Sequence, residues 1–385
     1  MQHRNTVLHR LLNHVRWHRF DALVDRHGSD KHVRTLPVKT QFICMAYGQL
    51  SGAGSLRETV TQFNSQESSL YHLGAKPVAR STMADANAKR SSGIFEDVFK
   101  ELAAAAQRRV RQAVQEATFL IDSTHLRLNE HSAKWARYSA GVCGAKVHVV
   151  YDPDADQPIY AAVSPANVND ITAAKEMPIE AGATYVFDLG YYDYAWWNTM
   201  HQAGCRIVTR LKTNTKLTIT REKHLPPGGP ILADRFGTLP KRQMHNRRNP
   251  MDCEMREVVV RIDTGKVIRV LTNDLTSPAA TIADLYKRRW AIELHFRWIK
   301  QCLKIRKFMG TSDNAVRTQV YIALIVFLLL HLAHEAEKIS LSLLDFVRLV
   351  RTHLMSRRDI RALDRTDDPP PRPDPRQYDL DWCQA

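Results

Sequence analysis

Thr118-Phe-Leu-Ile-Asp-Ser-Thr-His-Leu-Arg-Leu128 opens apolar, then alternates, and predicts a β-strand with one aspartate, Asp122, set among its strand-forming residues. A carboxylate in such text emerges at a polar cleft or finds partners; a lone aspartate there also serves as an edge or cap residue. Downstream, Lys146-Val-His-Val-Val-Tyr151 and Pro158-Ile-Tyr-Ala-Ala-Val163 predict a second and a third strand. Asn169 and Asp170 are expected to cap a helix running through Thr172 to Glu176. Ala183-Thr-Tyr-Val-Phe187 then reads as a short apolar strand, Ala195 to Ala203 as a helix, and Cys205-Arg-Ile-Val-Thr-Arg-Leu211 as a fifth strand.

Three strands, helix, strand, helix, strand and a later helix is the order of the ribonuclease H-like fold, so the expected class is α/β, with that core spanning 118–345. Before it, residues 1–117 have a helical period throughout, with Leu8, Leu11, Leu12 and Val15 on one stripe and Phe95, Val98, Phe99 and Leu102 on another. Within this all-helical N-terminal domain, the segment from Arg80 to Arg90 reads either as a groove-reading helix or as a solvated surface helix. Between about 212 and 275, short β-like pieces (Lys216–Thr220, Glu257–Ile262, Val267–Leu271) are separated by Pro226-Pro-Gly-Gly-Pro230 and a basic loop from Arg242 to Arg248. They predict a strand-rich insertion ahead of the last catalytic helix. Residues 346–385 are expected to hold a terminal helix and a Pro-rich extended tail around Asp367–Arg376.

Composition narrows the function classes. The 385 residues hold 55 Lys and Arg against 40 Asp and Glu, a net charge of +15, which suits a polyanion such as nucleic acid, although ribosomal and membrane-surface proteins share the trait. The six cysteines, Cys44, Cys143, Cys205, Cys253, Cys302 and Cys383, form no C-x-x-C pair, which argues against a zinc ribbon or a disulfide framework and for a reduced, cytoplasmic setting. The N-terminus alternates His and Arg with apolar residues, unlike a secretory signal. Val320 to Leu330 is an apolar run about half the roughly 20 residues of a membrane span, and reads as a buried helix.

Two further carboxylates join Asp122. Asp188, in Tyr185-Val-Phe-Asp-Leu-Gly-Tyr-Tyr192, ends an apolar strand, the place where ligand groups of α/β sheets gather. It serves equally well as a helix N-cap, a role for which Asp193 competes. In the segment from Asp284 to Lys304, an advance of about 100° per residue places Tyr286, Arg289, Glu293 and Lys300 within about 60° of one another. Leu285, Ile292, Phe296, Ile299 and Leu303 fall on the neighbouring stripe, so one side of the helix is core and the strip beside it presents a carboxylate between cations and a phenol. An exposed helix with a spaced Arg–Glu pair gives the same face by chance. Position favours function, since this helix comes last in the inferred fold and can lie against the strand of Asp122.

Mg²⁺ takes carboxylate oxygens and keeps several waters, so Asp122, Asp188 and Glu293 suit two Mg²⁺ ions, with Asp122 bridging them, in an in-line phosphoryl displacement. Arg289 and Lys300 suit phosphate, one as a fork and one as a point charge. Trp290 and Trp298 diverge from the strip; either suits the core, and Trp290, the nearer, also suits stacking on an unpaired base.

The spacing Tyr286-(2)-Arg289-(3)-Glu293-(6)-Lys300 resembles the signature helix of the insertion-sequence-4 family of DDE transposases. Ile121-Asp-Ser-Thr, Asp188-Leu-Gly-Tyr-Tyr, the strand-rich insertion, and the N-terminal text around Phe20-Asp-Ala-Leu-Val, Gly48-Gln-Leu-Ser and Tyr71-His-Leu-Gly resemble that family as well, from about Phe20 to Leu330. The resemblance implies a DNA transposase that binds terminal inverted repeats of double-stranded DNA, works as a homodimer in a synaptic complex, and hydrolyses one strand. The freed 3′ hydroxyl then attacks, through a hairpin end in some relatives. It also implies Mg²⁺ with Mn²⁺ as a substitute, and phosphate contacts near the cleaved end from Tyr286, Arg289 and Lys300. Leu189 stands where relatives frequently carry arginine, which leaves a DNA contact there without its usual residue. The rival expectations are a catalytically inactive, transposase-derived DNA-binding protein and a ribonuclease H-like nuclease that cuts without joining.

Overall fold

The computed structural model describes residues 5–111, 116–139, 141–226, 228–242, 248–302 and 308–364, with the side chains of 108–111 and 301–302 left aside. The Pro-rich tail, Leu303, Lys304, Cys383 and the centre of the Arg242–Arg248 loop lie outside them.

Among the described residues, seven helices precede the first strand, from Val7–Leu12 to Gly93–Arg111. Local chemistry sets several of their starts: Thr6 accepts from the His9 N–H at 3.2 Å, and Ser55 accepts from Glu58 while Glu58 reaches back to the Gly54 N–H, a capping-box arrangement. Their apolar faces do not close on themselves. Phe42, Phe95 and Phe99 are fully buried in a core that runs on into the helix Asp313–Ala336 and one face of the sheet. That helix is apolar on all sides because it is surrounded: every residue from Thr318 to Ala333 is buried. It is long and apolar enough to cross a membrane by length and composition, but it forms the centre of the protein.

Among the described residues the sheet has ten strands: β1 (Thr118–Leu128), β2 (Arg137–Ser139), β3 (Val142–Asp152), β4 (Gln157–Pro165), β5 (Thr184–Phe187), β6 (Arg206–Arg210), β7 (Thr218–Glu222), β8 (Ile231–Thr238), β9 (Met255–Arg261) and β10 (Val267–Thr272). β4, β3 and β1 form an antiparallel meander, and β5 and β6 follow parallel to β1. This order, with helices on both faces, is the expected ribonuclease H-like α/β core. The expected strand-rich segment is present and continues the central sheet: β10 pairs antiparallel with β6, and β9, β8 and β7 follow.

Alternation along β1 divides its side chains between two cores. Leu120 and Leu126 face the helical core, whereas Phe119 and Ile121 join Tyr185, Phe187 and Trp197 on the other face. Asp122 therefore leaves the sheet toward the late helices, and Ser123 toward the Asp170–Ala174 helix.

Candidate active site

Strand register brings the two aspartates together. Ile121 pairs with Phe187 in the parallel β1–β5 ladder, so the next residue on each strand is an acid. Each is held by a nearby main-chain N–H: Ser123 donates to Asp122 Oδ1 at 2.8 Å, and Gly190 donates to Asp188 Oδ1 at 2.8 Å. The long-helix cap belongs to Asp193, whose carboxylate accepts from Trp196 at 2.8 Å at the start of Tyr194–Gln202, so Asp188 caps only the single turn Leu189–Tyr191.

The helix expected through Tyr286 and Lys300 is two helices, Ala279–Arg288 and Trp290–Cys302, broken at Arg289. At the break the hydrogen bonds tighten to three residues, from Arg289 N–H to Tyr286 and from Ile292 N–H to Arg289. The turn aims Arg289 inward: Nη1 lies 3.2 Å from Asp122 Oδ2 and Nη2 lies 2.5 Å from Glu293 Oε1. Asp122, Asp188 and Glu293 line one open cleft of about 450 Å³, with Arg289, Arg297 and Lys300 around them.

Charge accounts for the site's electrostatics. Burial, joined by Asp188 and Glu293 and opposed by the Ser123 N–H and Arg289, pushes Asp122 up to about 6. Burial alone would lower Arg289, but Tyr286, Glu293 and Asp122 outweigh it and hold the guanidinium charged. The donor set is all carboxylate oxygen, which suits a hard divalent cation. Among the described residues no three such groups stand close enough to hold an ion as they are, and Arg289 pairs with two of the three carboxylates.

The remaining expected residues divide. Trp290 is half exposed, at 51 %, beside the cleft. Trp298 belongs to the core, its ring 4.9 Å from that of Phe327. Tyr286 is buried, its phenol raised by that burial, and it lines an adjoining groove with Arg210, Arg289 and Trp290. Arg210 was not legible in the sequence: Val186 pairs with Val208, so two residues on, β6 sets this cation alongside Asp188. It stands in the neighbourhood where the second-aspartate text carries Leu189.

Comparison with known proteins agrees. Residues 115–329 match the family model described as Transposase DDE domain, and residues 3–76 match one described as Domain of unknown function (DUF4372). A protein of Sinorhizobium fredii named as a transposase, y4zB, is 40% identical over 293 residues, 75% of this chain and 80% of that one. A protein of Geobacillus stearothermophilus named as a transposase for insertion sequence element IS5377 is 28% identical over 272 residues, covering 68% of this chain and 71% of its own. Among solved structures, a piggyBac transposase synaptic complex with hairpin DNA aligns with a TM-score of 0.45 at 11% identity, over 92% of this chain and 81% of that chain. The extent of the domain match and of the first relative settles the family: the chain belongs to the DDE transposases.

Proposed function

We propose that this chain cuts the ends of a bacterial insertion sequence by metal-assisted hydrolysis and joins the 3′ hydroxyl ends to target DNA. The observation that carries the reading is the shared cleft of Asp122, Asp188 and Glu293, drawn from β1, the residue that follows β5, and the Trp290–Cys302 helix. The three carboxylates would hold two Mg²⁺ ions, which when bound stabilise the attacking and leaving oxygens of an in-line displacement. Arg289 holds one oxygen each of Asp122 and Glu293 and would give them up to the cations, with the incoming phosphate as its natural next partner. Lys300 and Arg297 would hold the backbone beside the scissile bond, and Trp290 would stack on a base freed at the end. The helices before Thr118 form the proposed reader of the terminal repeats, with the Arg80–Lys89 helix as its exposed basic element and a homodimer as the synaptic unit. Net charge of +15 supports the DNA partner.

The test is cleavage of a labelled duplex carrying the element's own end, with Mg²⁺, by wild type and Glu293→Gln, with binding followed by gel shift. The expected result is metal-dependent cutting and joining by wild type, and binding without cutting by the variant. Binding by both with cutting by neither would favour a DNA-binding protein without catalysis.

A further inference from the structure

A second polar cluster backs the carboxylates on the opposite face of the sheet from Glu293. Asp170, expected to help cap its helix, does not do so. Asn169 takes the N-cap position, with no side-chain cap bond among the described residues, and the Asp170 carboxylate turns to the sheet. Ser123 Oγ donates to Asp170 Oδ1 at 3.0 Å, and Lys146 Nζ lies 3.1 Å from the same oxygen. Register explains the meeting: Ser123 pairs with His148 and His125 with Lys146 across β1 and β3, so these side chains share one face. Lys146 is buried and also donates to the Val168 carbonyl at 2.9 Å, which fixes its ammonium. His148, fully buried, holds Ser164 through Nε2 at 2.8 Å, while its Nδ1, without a hydrogen-bond partner among the described residues, faces Asp170 Oδ1 at 3.7 Å.

The other Asp170 oxygen abuts Gly190. A Cβ there would stand 3.0 Å from Asp170 Oδ2 and 3.0 Å from Asp188 Oδ1, tight enough that both oxygens would have to give by a few tenths of an ångström. Gly190 thus lies between two carboxylates, and a larger residue there would push on both. Asp170 bonds Ser123 and stands beside Gly190, two residues with one feature in common: the N–H of Ser123 holds Asp122, and the N–H of Gly190 holds Asp188.

We propose that Asp170, clamped by Lys146, is a positioning residue that sets the Ser123 and Gly190 peptides and through them the orientation of Asp122 and Asp188. It acts without touching ion or DNA. The inference rests on the reading of those two aspartates as metal ligands. Groups that orient metal ligands typically govern affinity by about 10–100-fold.

The test measures Mn²⁺ binding to the DNA-free full chain by calorimetry, with thermal unfolding, end binding by gel shift, and cleavage against Mg²⁺ concentration. The variants are Asp170→Ala, Ser123→Ala and Asp122→Asn. Asp170→Ala is expected to weaken Mn²⁺ binding about tenfold or more and to move the Mg²⁺ midpoint of cleavage upward by a like factor. End binding should stay within about twofold, and Ser123→Ala should show a smaller shift in the same direction. If Asp170→Ala does not fold, Ser123→Ala decides. Unchanged Mn²⁺ binding and Mg²⁺ midpoint in the folded variants, or a loss of stability, metal binding and end binding together, would overturn the proposal. Wild-type Mn²⁺ binding by Asp122→Asn would instead sink the parent reading, whatever Asp170→Ala does.

Discussion

Arg289 places its guanidinium 3.2 Å from the carboxylate of Asp122, and the same group reaches Glu293 at 2.5 Å. In DNA-free protein it stands in for the positive charge that the carboxylates require. A cation and Arg289 therefore compete for the same oxygens, and removing the guanidinium should favour the metal. Arg289→Gln is expected to tighten Mn²⁺ binding to the free protein by roughly tenfold, the factor that 1.4 kcal/mol corresponds to. The same variant should cut DNA ends more slowly, because the phosphate loses a forked donor. Calorimetry and end cleavage read the two effects separately; weaker Mn²⁺ binding would show that Arg289 supports the ion instead of opposing it.

Asp122, held at about 6 by burial and by its acidic neighbours, makes the metal-free protein sensitive to pH. Its folded value lies above the ordinary 3.8, so the folded state binds this proton more tightly than the unfolded chain. The ionised group costs stability, fully so above pH 6, and the cost fades as pH falls from about 6 to about 4. Asp122→Asn should therefore raise the melting temperature of metal-free protein at pH 7.5, by an amount worth on the order of 2–3 kcal/mol, and leave it unchanged near pH 4. Mn²⁺ binding to the free protein should weaken as pH falls below about 6, because Asp122 must then give up a proton to bind the ion. A stability gain that persists at pH 4 would assign the effect to something other than this proton.

The extended half of the sheet is pinned by a buried ion pair. Arg256 grips Asp234 with two hydrogen bonds, at 2.7 and 2.8 Å, and also donates to the carbonyls of Asp274 and Ser277 just before the helix Ala279–Arg288. Asp234→Ala would leave a fully buried guanidinium without its counter-charge, a loss of about 3–5 kcal/mol. Chemical denaturation of the metal-free protein measures it. A change below about 1 kcal/mol would mean that water reaches Arg256, as it does for exposed pairs.

That same pair explains part of what the sequence left unread. β8, with text Ile231-Leu-Ala-Asp-Arg-Phe-Gly-Thr238, has charges at the centre of its pattern, and their partners, Arg256 and Glu257, come from β9. The core strands were legible because apolar runs such as Tyr185-Val-Phe187 carry their own signal, and the spacing from Tyr286 to Lys300 marked Glu293. The break at Arg289 has no glycine or proline to announce it. Arg210 and Asp170 enter through pairing alone: one is set alongside Asp188 by the β5–β6 register, the other meets a serine 47 residues away. Neighbours made by topology leave no local mark in a sequence.

Arg210 offers a separate test of where the DNA end lies. It ends β6 beside Asp188 and lines the groove that Tyr286, Arg289 and Trp290 share, and its Nε is buried with no hydrogen-bond partner among the described residues. A guanidinium in that state has donors to give to a phosphate. Arg210→Gln should weaken end binding at every sequence tested and reduce the slope of log affinity against log salt by about one, the signature of one lost phosphate contact. Mn²⁺ binding to the free protein should change little, since Arg210 makes no ion pair with the three carboxylates among the described residues. An unchanged salt slope with reduced Mn²⁺ affinity would place Arg210 in the support of Asp188 and move the DNA path away from this groove.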